Sequence, residues 1–125
     1  IDTNNDKAYC GLGMVRNNMN DLDGAVDYFC MSLDSNPENL SACKFLLELS
    51  YKLKQFEKID IYLSEYLEFH PANLNMRFGL AGIQYKRGNF EDSIKNLECI
   101  VALNPEHQSA QEMLESIRTD VVLNK

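Results

Sequence analysis

Three prolines, the only ones in the chain, stand at positions 37, 71 and 105, a constant 34 residues apart. Each follows a potential helix cap: Asn36, His70 and Asn104. Proline suits the first position of a helix, where its missing N–H has no partner to lose. Helices are therefore expected to begin at these prolines. A second set of breaks falls between them, at Asn20-Asp21, Lys54-Gln55 and Gly88-Asn89, again at a 34-residue interval. Gly and Asn tolerate the left-handed conformation that ends a helix. Asp, Gln and Asn can cap the next one, Gln least well. Leu22, Phe56 and Phe90 then open the second helices in the same register.

Between the breaks the apolar residues recur at three- and four-residue steps. Leu40, Cys43, Leu46, Leu47, Leu49 and Leu53 form one stripe, and Phe90, Ile94, Leu97, Ile100, Val101 and Leu103 another. That spacing is helical. No segment alternates as a strand would. The pattern predicts an all-α chain of seven helices, at about residues 6–19, 22–35, 38–53, 56–69, 72–87, 90–103 and 106–120. Connections of a few residues make neighbouring helices antiparallel.

Composition narrows the class of function. With 125 residues, a chain of this kind buries a core without metal or disulfides. Its formal net charge of −7 argues against nucleic acid as a partner, because phosphate contacts need a basic face. No apolar run approaches the roughly 18 residues of a membrane span. No basic-then-apolar leader opens the chain, and the first residue is Ile1 rather than Met, which points to a piece of a longer or processed protein. Cys10, Cys30, Cys43 and Cys99 show no Cys-x-x-Cys spacing and lie in apolar helical patterns. They read as structural thiols in a reducing compartment, and hence as a cytoplasmic protein.

A 34-residue helix-turn-helix period is the mark of tetratricopeptide repeats, and individual residues support the likeness. The first unit resembles that family at Tyr9, Leu12, Gly13, Ala25, Phe29 and Pro37, the third at Leu80, Ala81, Gly88, Phe90 and Pro105. The resemblance covers about residues 6–120. It implies a right-handed superhelical α-solenoid in a single domain over residues 1–125, with repeats at about 6–39, 40–73 and 74–107 and a capping helix at 106–120. The second unit departs from the pattern. Leu47, Ile59 and Tyr66 stand where the family keeps small residues between paired helices, and Ser50 stands where a large aromatic is usual. Overpacking of that kind costs about 1–3 kcal/mol per misfit. The third and fourth helices are therefore expected to lie farther apart than the first two.

No motif for catalysis, metal or cofactor is visible. His70 and His107 each sit beside a helix start without a companion Cys, His or Asp cluster, and read as capping or solvated residues. Gly79, Gly82 and Gly88 follow a helix rather than a strand, so they are not a phosphate loop. What remains is the inner surface that such repeats use for binding. The resemblance points to Lys7, Cys10, Met14, Asn17 and Asn18 in the first unit and to Ser41, Lys44, Glu48, Tyr51 and Lys52 in the second. In the third it points to Asn75, Phe78, Gly82, Tyr85 and Lys86, with Glu112 and Ser116 on the last helix. Rings, amides and lysines together suit an extended peptide. Basic residues outnumber acidic ones in the first helices of the pairs, and acidic residues dominate the second helices. That asymmetry favours an acidic ligand inside.

Some family members clamp the acidic tail of chaperones with Lys, Asn and Arg. The matching places here carry Cys10, Met14, Phe45, Asn75 and Gly79, so chaperone-tail binding is not expected. The function implied is non-catalytic binding of a peptide or partner protein. Two alternatives stay open. Residues 62–71 look similar to repeats attached to bacterial glycosyltransferases, which would make this an accessory domain of a larger enzyme. A bare face on the first helix would instead make it a self-assembling scaffold, a homo-oligomer through that uncapped helix.

Overall fold

The structure, a computed structural model, describes residues 3–123. Among them seven helices follow one another with no strand: α1 (Thr3–Asn18), α2 (Leu22–Ser35), α3 (Leu40–Leu53), α4 (Phe56–Phe69), α5 (Leu74–Lys86), α6 (Phe90–Leu103) and α7 (Gln108–Leu123). The 34-residue period is written into the backbone. Asn20, Lys54 and Gly88 have φ of 61°, 57° and 83°, the positive-φ residues that turn the chain from the first helix of each pair into the second. The next residue caps the second helix. Asp21 accepts the N–H of Gly24, and Asn89 that of Asp92. Gln55 makes no side-chain cap bond. Gln55→Ser is thus expected to stabilise the fold by about 0.5–1 kcal/mol, since Ser reaches a first-turn N–H that Gln leaves open. A urea-unfolding midpoint that does not rise would contradict this.

The prolines lie elsewhere than the sequence suggested. Asn36, His70 and Asn104 end α2, α4 and α6, donating their backbone N–H to the carbonyls of Ser32, Tyr66 and Ile100. Each proline follows that C-cap and blocks further helix. The true N-caps are Asn39, Asn73 and His107, which accept the N–H groups of Ala42, Met76 and Ala110 at 2.9, 3.1 and 3.0 Å. So α3, α5 and α7 start two residues later than expected. Asx turns explain the delay. The Oδ1 atoms of Asn36 and Asn104 take the N–H groups of Glu38 and Glu106, which occupies the residues after the prolines in a turn.

The chain divides into two compact units, one holding α1–α4 up to Pro71, the other α5–α7 from Ala72. In the first unit α1 and α2 approach closely because Gly13 has no side chain. A Cβ there would come within 2.7 Å of the Phe29 ring. Phe29 is fully buried and stacks on Phe45 of α3, ring centroids 4.8 Å apart and 4° from parallel. Ser32 donates its hydroxyl to the carbonyl of Asp6 at 2.7 Å. The α3 and α4 backbones lie less closely together than those of α1 and α2. Leu47, Ile59 and Tyr66 stand where the first pair has Gly13, Ala25 and Ser32, and Ile59 and Tyr66 are buried. Ser50 turns its hydroxyl back onto the Leu47 carbonyl at 2.6 Å.

In the second unit Ala81, Leu97, Ile100, Ala110, Leu114 and Ile117 form the core. Ser93 donates to the Ala81 carbonyl at 2.8 Å, holding α6 against α5. The stripe of α7 lies on α6, while its Gln111, Glu112, Glu115 and Arg118 are exposed. Arg118 reaches Glu98 at 2.8 Å. The helix extends to Leu123, three residues beyond the expected end.

Candidate functional site

Residues 6, 7, 10, 11 and 14 share one side of α1, by the three- and four-residue spacing of a helix. That side meets the N-terminal half of α3 across an open groove of about 490 Å³. From α1 come Asp6, Lys7, Cys10, Gly11 and Met14; from α3 and its cap come Asn39, Leu40, Ser41 and Phe45. The walls are mostly apolar. Met14 is exposed, and Phe45 is held half-buried by its stack on Phe29.

One polar group stands out. Asp6 is only 2% exposed. Its Oδ2 accepts the side-chain amides of Asn36 at 3.3 Å and Asn39 at 2.7 Å. Its Oδ1 is buried and has no hydrogen-bond partner among the described residues. Most buried acceptors are paired, because an unmade bond costs about 1–3 kcal/mol.

Of the residues singled out from the sequence, Met14, Lys7, Cys10 and Ser41 line this groove. Asn17 and Asn18 lie at the end of α1, the first half-buried and the second exposed. Lys44, Glu48, Tyr51 and Lys52 are exposed along α3 outside the groove lining. Tyr51 stands edge-on to Phe56 at 5.9 Å. In the second unit Asn75 and Lys86 are exposed, whereas Phe78 and Tyr85 pack against the core. Phe78 leans on His107 at 5.4 Å and Tyr85 on Phe90 at 5.5 Å. Glu112 and Ser116 face solvent on α7. The sequence reading missed Asp6, Asn39 and Leu40, and saw Phe45 only as a failed clamp position. Phe45 follows Ser41 by one helical turn, which was the available signal. A second open trough, about 570 Å³, runs between α6 and α7 past Val101, Leu114 and Val122. None of the residues expected to bind a partner lines it.

Burial raises the thiol pKa of Cys30 to about 11 and of Cys43 to about 12, and burial with the nearby Asp6 raises that of Cys10. Thiols held neutral are poor nucleophiles. All four cysteines are free. His107 caps α7, and His70 Nε2 lies 3.0 Å from Glu38 while its ring stacks on Tyr66. Among the described residues no group of three or more His, Cys, Asp or Glu is placed to hold a metal ion, and no helix is long and apolar enough to cross a membrane.

No protein-family model and no curated protein matches the sequence. Solved structures do. The first tetratricopeptide domain of Spaghetti (RPAP3), bound to the HSP90 peptide SRMEEVD, superposes with a TM-score of 0.76 at 16% identity, over 98% of this chain and 97% of that one. A crystal structure of MamA gives 0.78 at 16% identity, over 94% of this chain and 64% of that one. The first tetratricopeptide domain of human RPAP3, solved by NMR, gives 0.72 at 15%, over 94% and 93%. At such identities the likeness speaks for the fold: an α-solenoid of antiparallel helix pairs of the tetratricopeptide type.

Proposed function

We propose that this chain, folded as tetratricopeptide repeats, is a non-catalytic recognition module that holds an extended peptide against α1 and α3, the first helices of the pairs in its first unit. The observation that carries the reading is the α1–α3 groove, an open and mostly apolar channel. An extended peptide offers what that channel lacks: an apolar side chain for Cys10, Met14, Leu40 and Phe45. The structurally similar Spaghetti domain is bound to an acidic peptide. Here Cys10, Met14 and Phe45 occupy clamp positions, so an apolar anchor replaces the carboxylates at that place. Exposed Lys44 and Lys52 on α3 then favour acidic residues farther along the ligand. Asn17, Asn18, Glu48 and Tyr51 flank the same path. Asn75, Phe78, Tyr85 and Lys86 on α5 form the corresponding strip in the second unit. The three pairs and α7 make up one domain, working in the cytoplasm with its thiols reduced.

The test is a peptide-display screen followed by titration at two salt concentrations. Lys44→Glu with Lys52→Glu is expected to weaken the selected acidic peptide by roughly tenfold, mainly through slower association, with the melting temperature unchanged. Affinity should also fall with salt, since exposed charges are screened over about 8 Å at physiological ionic strength. Unchanged binding by the double variant would reject the acidic preference.

A further inference from the structure

Two glycines stand two residues apart inside α1, and the fold accounts for one of them. Gly13 is bare because Phe29 lies against it. Gly11 has no such neighbour: among the described residues, a Cβ built there would meet no atom within 4 Å. Backbone conformation does not require a glycine either, since Gly11 sits within the helix and does not have positive φ. Nor does the repeat. The residues 34, 68 and 102 places further on are Phe45, Gly79 and Met113, so the same helical position accepts a large side chain. Glycine in a helix interior is destabilising relative to alanine. α1 therefore carries a weakening residue that neither packing nor turn geometry explains.

Gly11 is exposed and lines the α1–α3 groove. Lys7 and Met14, one turn before and one turn after it, line the same groove, and Phe45 belongs to the α3 wall. Without a Cβ at position 11, the stretch between Lys7 and Met14 is bare helix backbone. A guest side chain can lie directly on it. Phe45 is held in plane by its parallel stack on Phe29 and stays half-exposed. The groups around the bare turn favour a ring over an aliphatic chain of similar size. Aromatic rings pair with one another beyond what area burial gives. The Met14 thioether makes favourable contacts with a ring edge, and the Lys7 ammonium is attracted to a ring face. A leucine would gain the burial alone.

We propose, resting on the reading of this groove as a peptide site, that Gly11 is its specificity-determining position. The missing side chain opens a berth on α1 for one aromatic side chain of the peptide, which lies across the backbone between Lys7 and Met14 with its ring against Phe45. Close approach of a ligand to the backbone is a use to which glycine is suited, and it offsets what the residue costs the helix.

The experiment pans a displayed library of random peptides on the full chain and titrates the most enriched peptide, labelled, by fluorescence anisotropy. The selected sequences are expected to share one Phe, Tyr or Trp, and replacing that residue by Leu should weaken binding roughly threefold or more. Gly11→Ala should raise the urea midpoint, because alanine suits a helix interior better. The same variant should weaken the peptide roughly fivefold or more, as a methyl group intrudes on a packed contact. Gly11→Leu, which fills the berth, should weaken it at least tenfold. A gain in stability together with a loss in affinity is a split that a glycine with only a structural role does not give. Met14→Glu tests the groove itself. If Met14→Glu weakens the peptide while both Gly11 variants bind as the wild type does, the groove reading stands and this inference is overturned. If none of the three variants weakens it, or the library yields no binder, both fall. Selected peptides that share no aromatic residue also overturn the inference.

Discussion

Phe29→Ala is expected to cost the fold about 3–5 kcal/mol, the range for emptying a fully buried aromatic site. The ring touches three helices at once. It belongs to α2, lies against the bare backbone of Gly13 in α1, and stacks face to face on Phe45 of α3. Truncation leaves a cavity that neighbours cannot refill, because Gly13 has no side chain to move and Phe45 is held in a groove wall. Native proteins are stable by only about 5–15 kcal/mol. Urea unfolding followed by far-UV circular dichroism should therefore show a large fall in midpoint. A loss below about 1 kcal/mol would mean that α1, α2 and α3 are not joined through this ring. Phe29→Ala should also weaken groove ligands, since Phe45 loses the surface that fixes its orientation.

The second large effect is expected from truncation at residue 106, which removes α7. The stripe of that helix brings Ala110, Leu114 and Ile117 into the core with Leu97 and Ile100. Burying a Leu or Ile side chain contributes about 1.5–3 kcal/mol, so losing two such contacts and their partners' cover costs about 3–6 kcal/mol. The α5–α6 pair left behind is a hairpin with one open face, and repeats need a polar cap for solubility. The melting temperature should drop, and amide protection in α6 should fall before that in α2. A truncated chain that melts at the same temperature would show that α7 does not act as a cap.

The sequence disclosed the architecture through punctuation more than through propensity. Helix breaks at Asn20, Lys54 and Gly88 and capping at Asp21 and Asn89 were both implied by the 34-residue recurrence, whereas the positive φ of Lys54 was not, because the sequence argument for a left-handed end rests on Gly and Asn. The misreading of the prolines has a local cause. Asn-Pro is compatible with a helix start and with a helix end, and only the Asx turns at Asn36 and Asn104 decide between them. The volume shift at Leu47, Ile59 and Tyr66 was legible because it breaks a repeat, and the α3–α4 pair is the looser one.

The site was less legible. Helical register places Phe78 and Tyr85 at the repeat positions that Cys10 and Asn17 hold in the first unit, but it does not say that their rings will lean on His107 and Phe90. Asp6 was invisible as part of the groove wall. Its burial depends on Asn36 and Asn39, about 30 residues away, and a single carboxylate near a helix start reads as an ordinary N-terminal charge. Long-range hydrogen bonds of this kind have no periodicity to betray them.

The central claim is the proposal that a peptide lies in the groove between α1 and α3. Backbone amide shifts of the isotope-labelled chain, recorded while a display-selected peptide is added, test it most directly. The account predicts the largest changes at Cys10, Met14, Leu40, Ser41 and Phe45, spreading to Lys44 and Tyr51. Changes confined to α2, α4 and α6, with the α1–α3 groove silent at saturation, would contradict it.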